Sequence, residues 1–220
     1  MPLKSYHPDF TFSGNKATPD EIDQDQQYVI MNPSVDPVYV GTQTGTQTVT
    51  AALGIINERL DYPRNLVFAV AAAAGSARGG TITVTGFDQF GNAVSETGTI
   101  AAANGGGTTN GTKVFARVTA GTVNFGTGDA GSGTARVGVG IGTSATLPVF
   151  GLPAKLGAST DIKRVTWLDA DTAKSHTVTA DTDQHGVVLN VAGGIAAADS
   201  FVVTFRSSFN STDDKNVFRT

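Results

Sequence analysis

The chain has 220 residues, of which 40% are hydrophobic and only 15% are charged, and its formal net charge is -4. This length allows one large β domain, and the weakly acidic balance argues against nucleic-acid binding through a basic face. The sequence contains no cysteine, which excludes disulfides, thiolate nucleophiles and cysteine metal ligands.

Residues 1–50 predict an extended N-terminal arm. Five prolines and a polar run at 20–27 divide this stretch, so no periodic pattern lasts long enough to build a core, although Thr18 and Pro19 could open a short helix. Because a solvated tail gains nothing from spaced aromatic residues, we predict that the arm contacts a neighbouring subunit; a poorly ordered tail is the alternative. The predicted contact residues are Phe10, Phe12, Tyr28 and Tyr39.

Residues 51–220 predict an antiparallel β-sandwich body, Ig-like or jelly-roll-like. Its clearest element is a hairpin over 80–100, in which Ile82 and Val84 alternate with threonines and the turn offers Gly91 and Asn92 for positive φ angles. Further strands are predicted at 66–70, 112–118, 121–125, 135–141, 162–168, 176–180, 187–191 and 200–206.

The segments between these strands predict turns and loops. Residues 61–65 are typical of a turn, residues 104–111 of a glycine-rich loop, and no amphipathic helix of ten or more residues follows residue 60. Residues 155–164 could be a linker, which leaves open a division of the body near 155 into two small β domains. Trp167, the single tryptophan, is predicted to fill the core between two sheets.

No residue pattern predicts catalysis, a cofactor or a metal ion. The glycines of 126–131 match the letters of a dinucleotide fingerprint, but strand or loop sequence follows them where that motif needs a helix. His176 and His185 lie too far apart for a strong zinc site. Asp88 and Glu96 could imitate the carboxylate pair of a glycosidase, but no aromatic sugar platform accompanies them. We therefore expect that the protein is not an enzyme.

The chain is expected to be soluble and made in the cytosol. Its first ten residues lack the apolar core of a secretion signal, and its longest apolar run, residues 66–75, is too short to span a bilayer. We accordingly expect no membrane partner.

Several segments, taken in order, resemble a family of tailed-bacteriophage virion proteins. They are Leu60–Leu66, Gly80–Thr97, Gly111–Val118, Val123–Asp129, Gly151–Pro153 and Ala197–Arg206. The likeness covers 60–206 in pieces, and it departs from the family where residues 130–150 separate two elements that are usually closer together. The resemblance implies a β-sandwich subunit that decorates or cements a capsid or forms part of a tail, with no catalytic residues to carry over.

The resulting prediction is a phage capsid cement or decoration protein, in which the β body and the arm stabilise the shell. Its partners would be the major capsid protein and copies of itself, and it would be found in the virion after synthesis in the host bacterial cytoplasm. The alternatives are a tail or neck protein that forms a ring or tube, and a carbohydrate-binding module of a receptor-binding fibre.

Overall fold

The structure, a computed structural model, describes residues 21–46, 50–73, 75–126, 132–139, 144–145, 149–153, 162–169, 172–173, 177–181, 186–190 and 195–210. Every regular element in these ranges is a β-strand, and every strand pairing is antiparallel. The predicted all-β, antiparallel sandwich class is therefore confirmed. Since no helix occurs among these residues, none could cross a membrane.

The predicted hairpin is formed by β7 (Ala77–Phe87) and β8 (Ala93–Asn104). Ile82 and Val84 are fully buried. On the opposite face the hydroxyls of Thr83 and Thr97 lie 2.8 Å apart across the two strands. The alternation visible in the sequence thus separates a core face from a polar face.

Asp88 holds the turn between these strands. Its Oδ1 accepts hydrogen bonds from the backbone N–H groups of Phe90 and Asn92, both at 2.8 Å. Its Oδ2 accepts a bond from the Asn92 side-chain amide at 3.0 Å. Gly91 has the expected positive φ of 82°, whereas Asn92 does not and instead serves as a donor to Asp88.

Replacing Asp88 by alanine is expected to lower the free energy of unfolding by about 1–2 kcal/mol, because three donors lose a charged acceptor. Asp88→Asn keeps one acceptor oxygen and should cost clearly less. Urea unfolding of both variants beside the wild type measures the difference. Equal stabilities for all three proteins would show that Asp88 does not hold the turn.

The hairpin belongs to an eight-stranded sheet. The other members are β3 (Thr50–Ala52), β5 (Arg59–Arg64), β10 (Phe115–Asn124), β13 (Val149–Gly151), β16 (Thr177–Asp181) and β17 (Gly186–Asn190). Their order is β16-β17-β13-β5-β10-β7-β8, with β3 paired to β10. This sheet brings together strands from both halves of the chain.

A five-stranded sheet packs against it. It contains β2 (Gly41–Thr46), β4 (Gly54–Ile55), β6 (Val67–Ala72), β9 (Gly106–Asn110) and β11 (Ser132–Gly138), in the order β4-β2-β11-β6-β9. The buried side chains of the two sheets form the larger core: Val40, Leu53, Leu66, Phe68, Val70, Ile82, Val84, Ile100, Phe115, Val118, Val123, Phe125, Ala135, Val137 and Val139.

A four-stranded sheet carries the second core. It consists of β1 (Glu21–Met31), β14 (Ile162–Asp169), β15 (Thr172–Ala173) and β19 (Asp199–Asn210), in the order β1-β19-β14-β15. Its buried residues meet Phe150 of β13, and the cluster comprises Ile30, Val35, Phe150, Leu152, Phe201, Val203 and Phe205. A two-stranded ladder of β12 (Ser144–Ala145) and β18 (Ile195–Ala196) completes the described elements.

The structure differs from the sequence predictions at two connecting segments and one strand pair. The turn predicted at 61–65 is largely strand β5, and the loop predicted at 104–111 contains β9. Pro63, which cannot donate to a ladder, lies where the pairing of β5 with β10 is irregular. The two strands predicted at 112–118 and 121–125 are one strand, β10, whose register against β7 shifts between Val118 and Ala120.

Much of the predicted arm forms part of the sheets. Residues 21–31 are strand β1 rather than a helix opened at Thr18, and β2 follows within the five-stranded sheet. Val40 is fully buried in the larger core. Residues 1–20, with Phe10 and Phe12, lie outside the described residues, so an arm formed by them stays a prediction.

The segment after residue 155 contributes to more than one sheet. β17 pairs with β13 in the eight-stranded sheet, whereas β19 pairs with β1. These pairings connect the parts of the chain on either side of residue 155. Trp167 lies on β14 in register with Phe201, which is buried in the smaller core.

Candidate functional site

Two apolar side chains of the four-stranded sheet, Val29 and Met31, are strongly exposed, and both lie on its edge strand, β1. This strand pairs with β19 over all eleven residues without a register shift. Among the described residues no strand lies on its other side. That side of β1 is an edge of the sheet in the part of the chain that the structure describes.

The hydrogen-bond pattern shows which backbone groups of β1 point to that edge. The N–H of Asn32 donates to the carbonyl of Asp199 at 3.0 Å and continues the ladder with β19. Because bonding alternates along an antiparallel pair, the even-numbered residues of β1 bond to β19 and the odd-numbered residues turn their N–H and C=O groups to the free edge. This free edge, at residues 21–31, is called the β1 edge below.

The β1 edge ends at Tyr62. The Tyr62 hydroxyl accepts a hydrogen bond from the N–H of Met31 and donates one to its carbonyl, both at 3.0 Å. The edge groups of Met31 are thus satisfied by a side chain, and the groups of residues 21–29 are the ones a further strand could reach.

The last residues of β1 alternate between core and surface. Ile30 is fully buried and Tyr28 is half-buried, whereas Val29 and Met31 are 46% and 59% exposed. Edge strands are commonly protected by lysine or proline, and β1 has neither. Its charged residues are Glu21, Asp23 and Asp25, all in the first half of the strand. The strand is therefore acidic at one end and apolar at the other.

The opposite edge of the same sheet is basic. β15 pairs only with Leu168 and Asp169 of β14, so residues 162–167 have a strand partner on one side alone among the described residues. Lys163 and Arg164 lie in this part of β14 and are exposed. Gln27 of β1 and Arg164 both pair with Thr204, so they stand at the same level of the sheet.

Of the four aromatic residues predicted to contact a neighbour, the structure places two in contacts within the chain. The Tyr28 and Tyr62 rings meet edge to face at 6.5 Å, and Tyr39 packs against the larger core. Burial is the main cause that raises the pKa of both phenols, and the negative charge of Asp61 adds to it. Phe10 and Phe12 are not described. Sequence reasoning missed Val29 and Met31, although their alternation with Tyr28 and Ile30 was a usable signal.

Tyr28 is expected to titrate with a pKa of about 12, against the ordinary value of 10.0. Since folding raises this pKa, it favours the neutral phenol. The contribution of Tyr28 to the free energy of unfolding is therefore complete below pH 10 and is lost as the pH rises toward 12. The tyrosinate absorbance of the wild type minus that of Tyr28→Phe gives the titration of this group. A midpoint at the ordinary value would contradict the buried position.

The side chain of Arg64 is fully buried, and both of its terminal nitrogens donate hydrogen bonds. Nη1 donates to the carbonyl of Ser34 at 2.9 Å, and Nη2 donates to the carbonyl of Val139 at 3.0 Å. The guanidinium lies 4.8 Å from the ring centre of Phe150 and 3.6 Å from a carboxylate oxygen of Asp61. Burial lowers the pKa of Arg64 to about 10, so the group stays charged at neutral pH.

Asp61 and Asn65 add hydrogen bonds that join segments far apart in the sequence. Asp61 accepts a hydrogen bond from the N–H of Ser34 at 2.7 Å. The Asn65 side chain donates to the carbonyl of Gly111 and accepts from the N–H of Val149, both at 2.8 Å. Asp61, Arg64 and Asn65 therefore hold β5 to the chain segments around it.

The carboxylates considered for catalysis hold loops. Oε1 of Glu96 accepts hydrogen bonds from the backbone N–H groups of Thr112 at 2.6 Å and Lys113 at 3.2 Å, while Asp88 holds the hairpin turn. In the described ranges no group of three or more acidic or histidine side chains could hold a metal ion. His176 and His185 lie outside those ranges.

No protein family matches the sequence, and no curated protein matches it significantly. Among solved structures, the chain is similar to T=1 particles derived from infectious bursal virus, at 14% identity, and to the infectious bursal disease virus Gt strain, at 15% identity. Both alignments cover 96% of this chain at a TM-score of 0.22. The chain spans 41% and 43% of the length of those chains. At this TM-score the similarities support no conclusion about its fold or role.

Proposed function

We propose that the protein is a structural component of a bacteriophage virion, and that its role there is to cement or decorate the capsid. The observation that carries the proposal is the β1 edge, a sheet edge that no described strand covers, with Val29 and Met31 exposed beside it. A sheet edge of this kind presents backbone donors and acceptors together with apolar surface, which is what another protein chain can bind. The ordered resemblance to tailed-phage virion proteins supports the same role.

In this role the protein would stabilise the shell through added contacts between subunits. Val29 and Met31 are each about half exposed, so burying one of them at a subunit boundary would contribute roughly 1–1.5 kcal/mol, less the cost of ordering it. Many copies bound to one shell add these small contributions together, so a modest affinity for each subunit gives a durable coat. Residues 1–20 would add Phe10 and Phe12 to the contact with neighbouring capsid subunits.

Co-sedimentation of the purified protein with empty capsids tests this role. We expect saturable binding by the full chain and weaker binding after deletion of residues 2–20, which leaves β1 and its pairing with β19 in place. A circular-dichroism spectrum unchanged in shape serves as the folding control for the deletion. No binding of the full chain at any ratio would contradict the cement role, and unchanged binding of the deletion would contradict the contribution of the arm.

A tail or neck protein is the second candidate, because the β1 edge could equally pair with a neighbour in a ring. Head-to-tail contacts between identical subunits close into rings when their rotation permits it. Electron microscopy of the purified protein without capsids separates the two roles. Rings or tubes in the absence of a shell would favour the tail, whereas small soluble species that bind capsids would favour the cement role.

We also propose that the protein has no catalytic activity. The commitment of Asp88 and Glu96 to backbone donors supports this, since a carboxylate that holds a loop is poorly placed to move a proton on a substrate. Hydrolysis of host cell-wall polysaccharide by the purified protein, lost in Glu96→Gln, would contradict it.

A further inference from the structure

We propose that copies of the protein associate head to tail, with the β1 edge of one copy pairing in parallel with β14 of the next, so that their four-stranded sheets become continuous. This inference adds a partner surface to the proposed function. It depends on the two edges of one sheet and does not require that the protein be part of a virion.

The two edges have opposite charge. The first five residues of β1 include Glu21, Asp23 and Asp25, and the start of β14 carries Lys163 and Arg164. Opposite charges that face one another across an interface guide the encounter of two proteins and set their register. Two β1 strands paired side by side and in parallel would instead bring six acidic residues together, which disfavours that arrangement.

The direction of the strands agrees with this charge pattern. β1 and β14 are both antiparallel to β19, which lies between them, so they run in the same direction within one sheet. If the next copy continues the sheet without being turned over, its β14 lies parallel to β1. The acidic start of β1 then meets the basic start of β14, and the apolar end of β1 meets the later part of β14.

The positions of the charged residues along the two strands are also compatible with this pairing. Gln27 and Arg164 pair with the same residue, Thr204, from opposite sides. Directly paired residues project to the same face of a sheet, so both lie on one face, where Arg164 and Gln27 are exposed. Asp25 is one two-residue step from Gln27 on β1. In a parallel pairing that keeps this level, Gln27 stands beside Arg164 of the next copy and Asp25 is the diagonal neighbour of that arginine, within reach of its long side chain.

The surface beside this edge would become less exposed on association. Val29 and Met31 project from the end of β1 and are 46% and 59% exposed in the single chain. The Tyr62 hydroxyl, which satisfies the edge groups of Met31, marks where the incoming strand has to stop. The pairing would therefore use backbone groups up to Val29.

Exchanging the charges tests the inference on the purified full chain by sedimentation velocity. Asp25→Lys and Arg164→Glu should each weaken self-association about tenfold or more, since each places like charges together. The double variant Asp25→Lys with Arg164→Glu should restore it, and so should an equimolar mixture of the two single variants, because each supplies the charge that the other lacks. Thr99→Lys, at an exposed position of β8, is the matched control and should leave association unchanged.

Several outcomes would overturn the proposal. One is a wild type that stays monomeric, as expected if residues 1–20 of the same chain cover the β1 edge. Another is an effect of Asp25→Lys with none of Arg164→Glu, which would point to pairing of β1 with itself. Failure of the double variant to recover would also contradict the charge pairing. Capsid binding is measured separately, so loss of this inference and loss of the virion role remain distinguishable.

Discussion

Replacing Arg64 by alanine is expected to lower the free energy of unfolding by about 3–5 kcal/mol, as for other buried charged networks that lose one partner. The substitution removes both donors to the carbonyls of Ser34 and Val139 and leaves those acceptors buried. It also removes the cation from above the ring of Phe150 and leaves a space that the surrounding strands cannot fill. Urea unfolding followed by circular dichroism measures the loss.

Two variants make this result specific. Arg59→Ala, on the same strand but exposed, should change stability by no more than about 0.5 kcal/mol. Arg64→Lys keeps the charge, but an ammonium group lacks the planar fork of donors that reaches both carbonyls. The stability of this variant should therefore lie between those of the wild type and Arg64→Ala. A loss below about 1 kcal/mol for Arg64→Ala would show that Arg64 does not hold the surrounding segments together, since a single ordinary hydrogen bond contributes about that much.

Phe150→Ala is expected to cost about 3–5 kcal/mol, the range typical of a deleted buried aromatic ring. Phe150 is fully buried on β13 and lies 5.9 Å, centre to centre, from Phe201 of the four-stranded sheet. It also meets the ring of Tyr62 edge to face at 6.5 Å. Because the ring joins β13 to the smaller core, its loss should weaken the contact between two sheets as well as their local packing.

Thermal unfolding monitored by two probes checks this prediction. The fluorescence of Trp167, on β14 of the four-stranded sheet, and far-ultraviolet circular dichroism should coincide in the wild type and separate in Phe150→Ala. Phe87→Ala, at a ring that is 39% exposed, is the matched control and should cost much less. Equal losses for the two phenylalanines would show that Phe150 does not anchor the sheets.

The hairpin could be predicted from sequence because its determinants are local. Alternation in β7 and β8 and the turn residues around Asp88 lie within about thirty residues, and each agrees with the others. β5 could not be predicted in the same way. Its partners β10 and β13 are distant in the sequence, and Pro63 together with a polar composition favours a turn when those partners are ignored.

The candidate site was less accessible to sequence reasoning than the fold. Arg64 looked like a turn residue, and nothing near it in the sequence indicates that the carbonyls of Ser34 and Val139 converge on it. The prolines at 33 and 37 suggested an arm, although Val40 lies in the core. Whether a strand has a free edge depends on sheet order, which local patterns do not contain.

The proposed role of the protein as a structural component of the virion is tested most directly by measuring its amount in gradient-purified phage particles. Quantitative mass spectrometry should find it in a constant ratio to the major capsid protein across the particle band. Absence from intact particles, with all of the protein left in the infected-cell lysate, would contradict the claim.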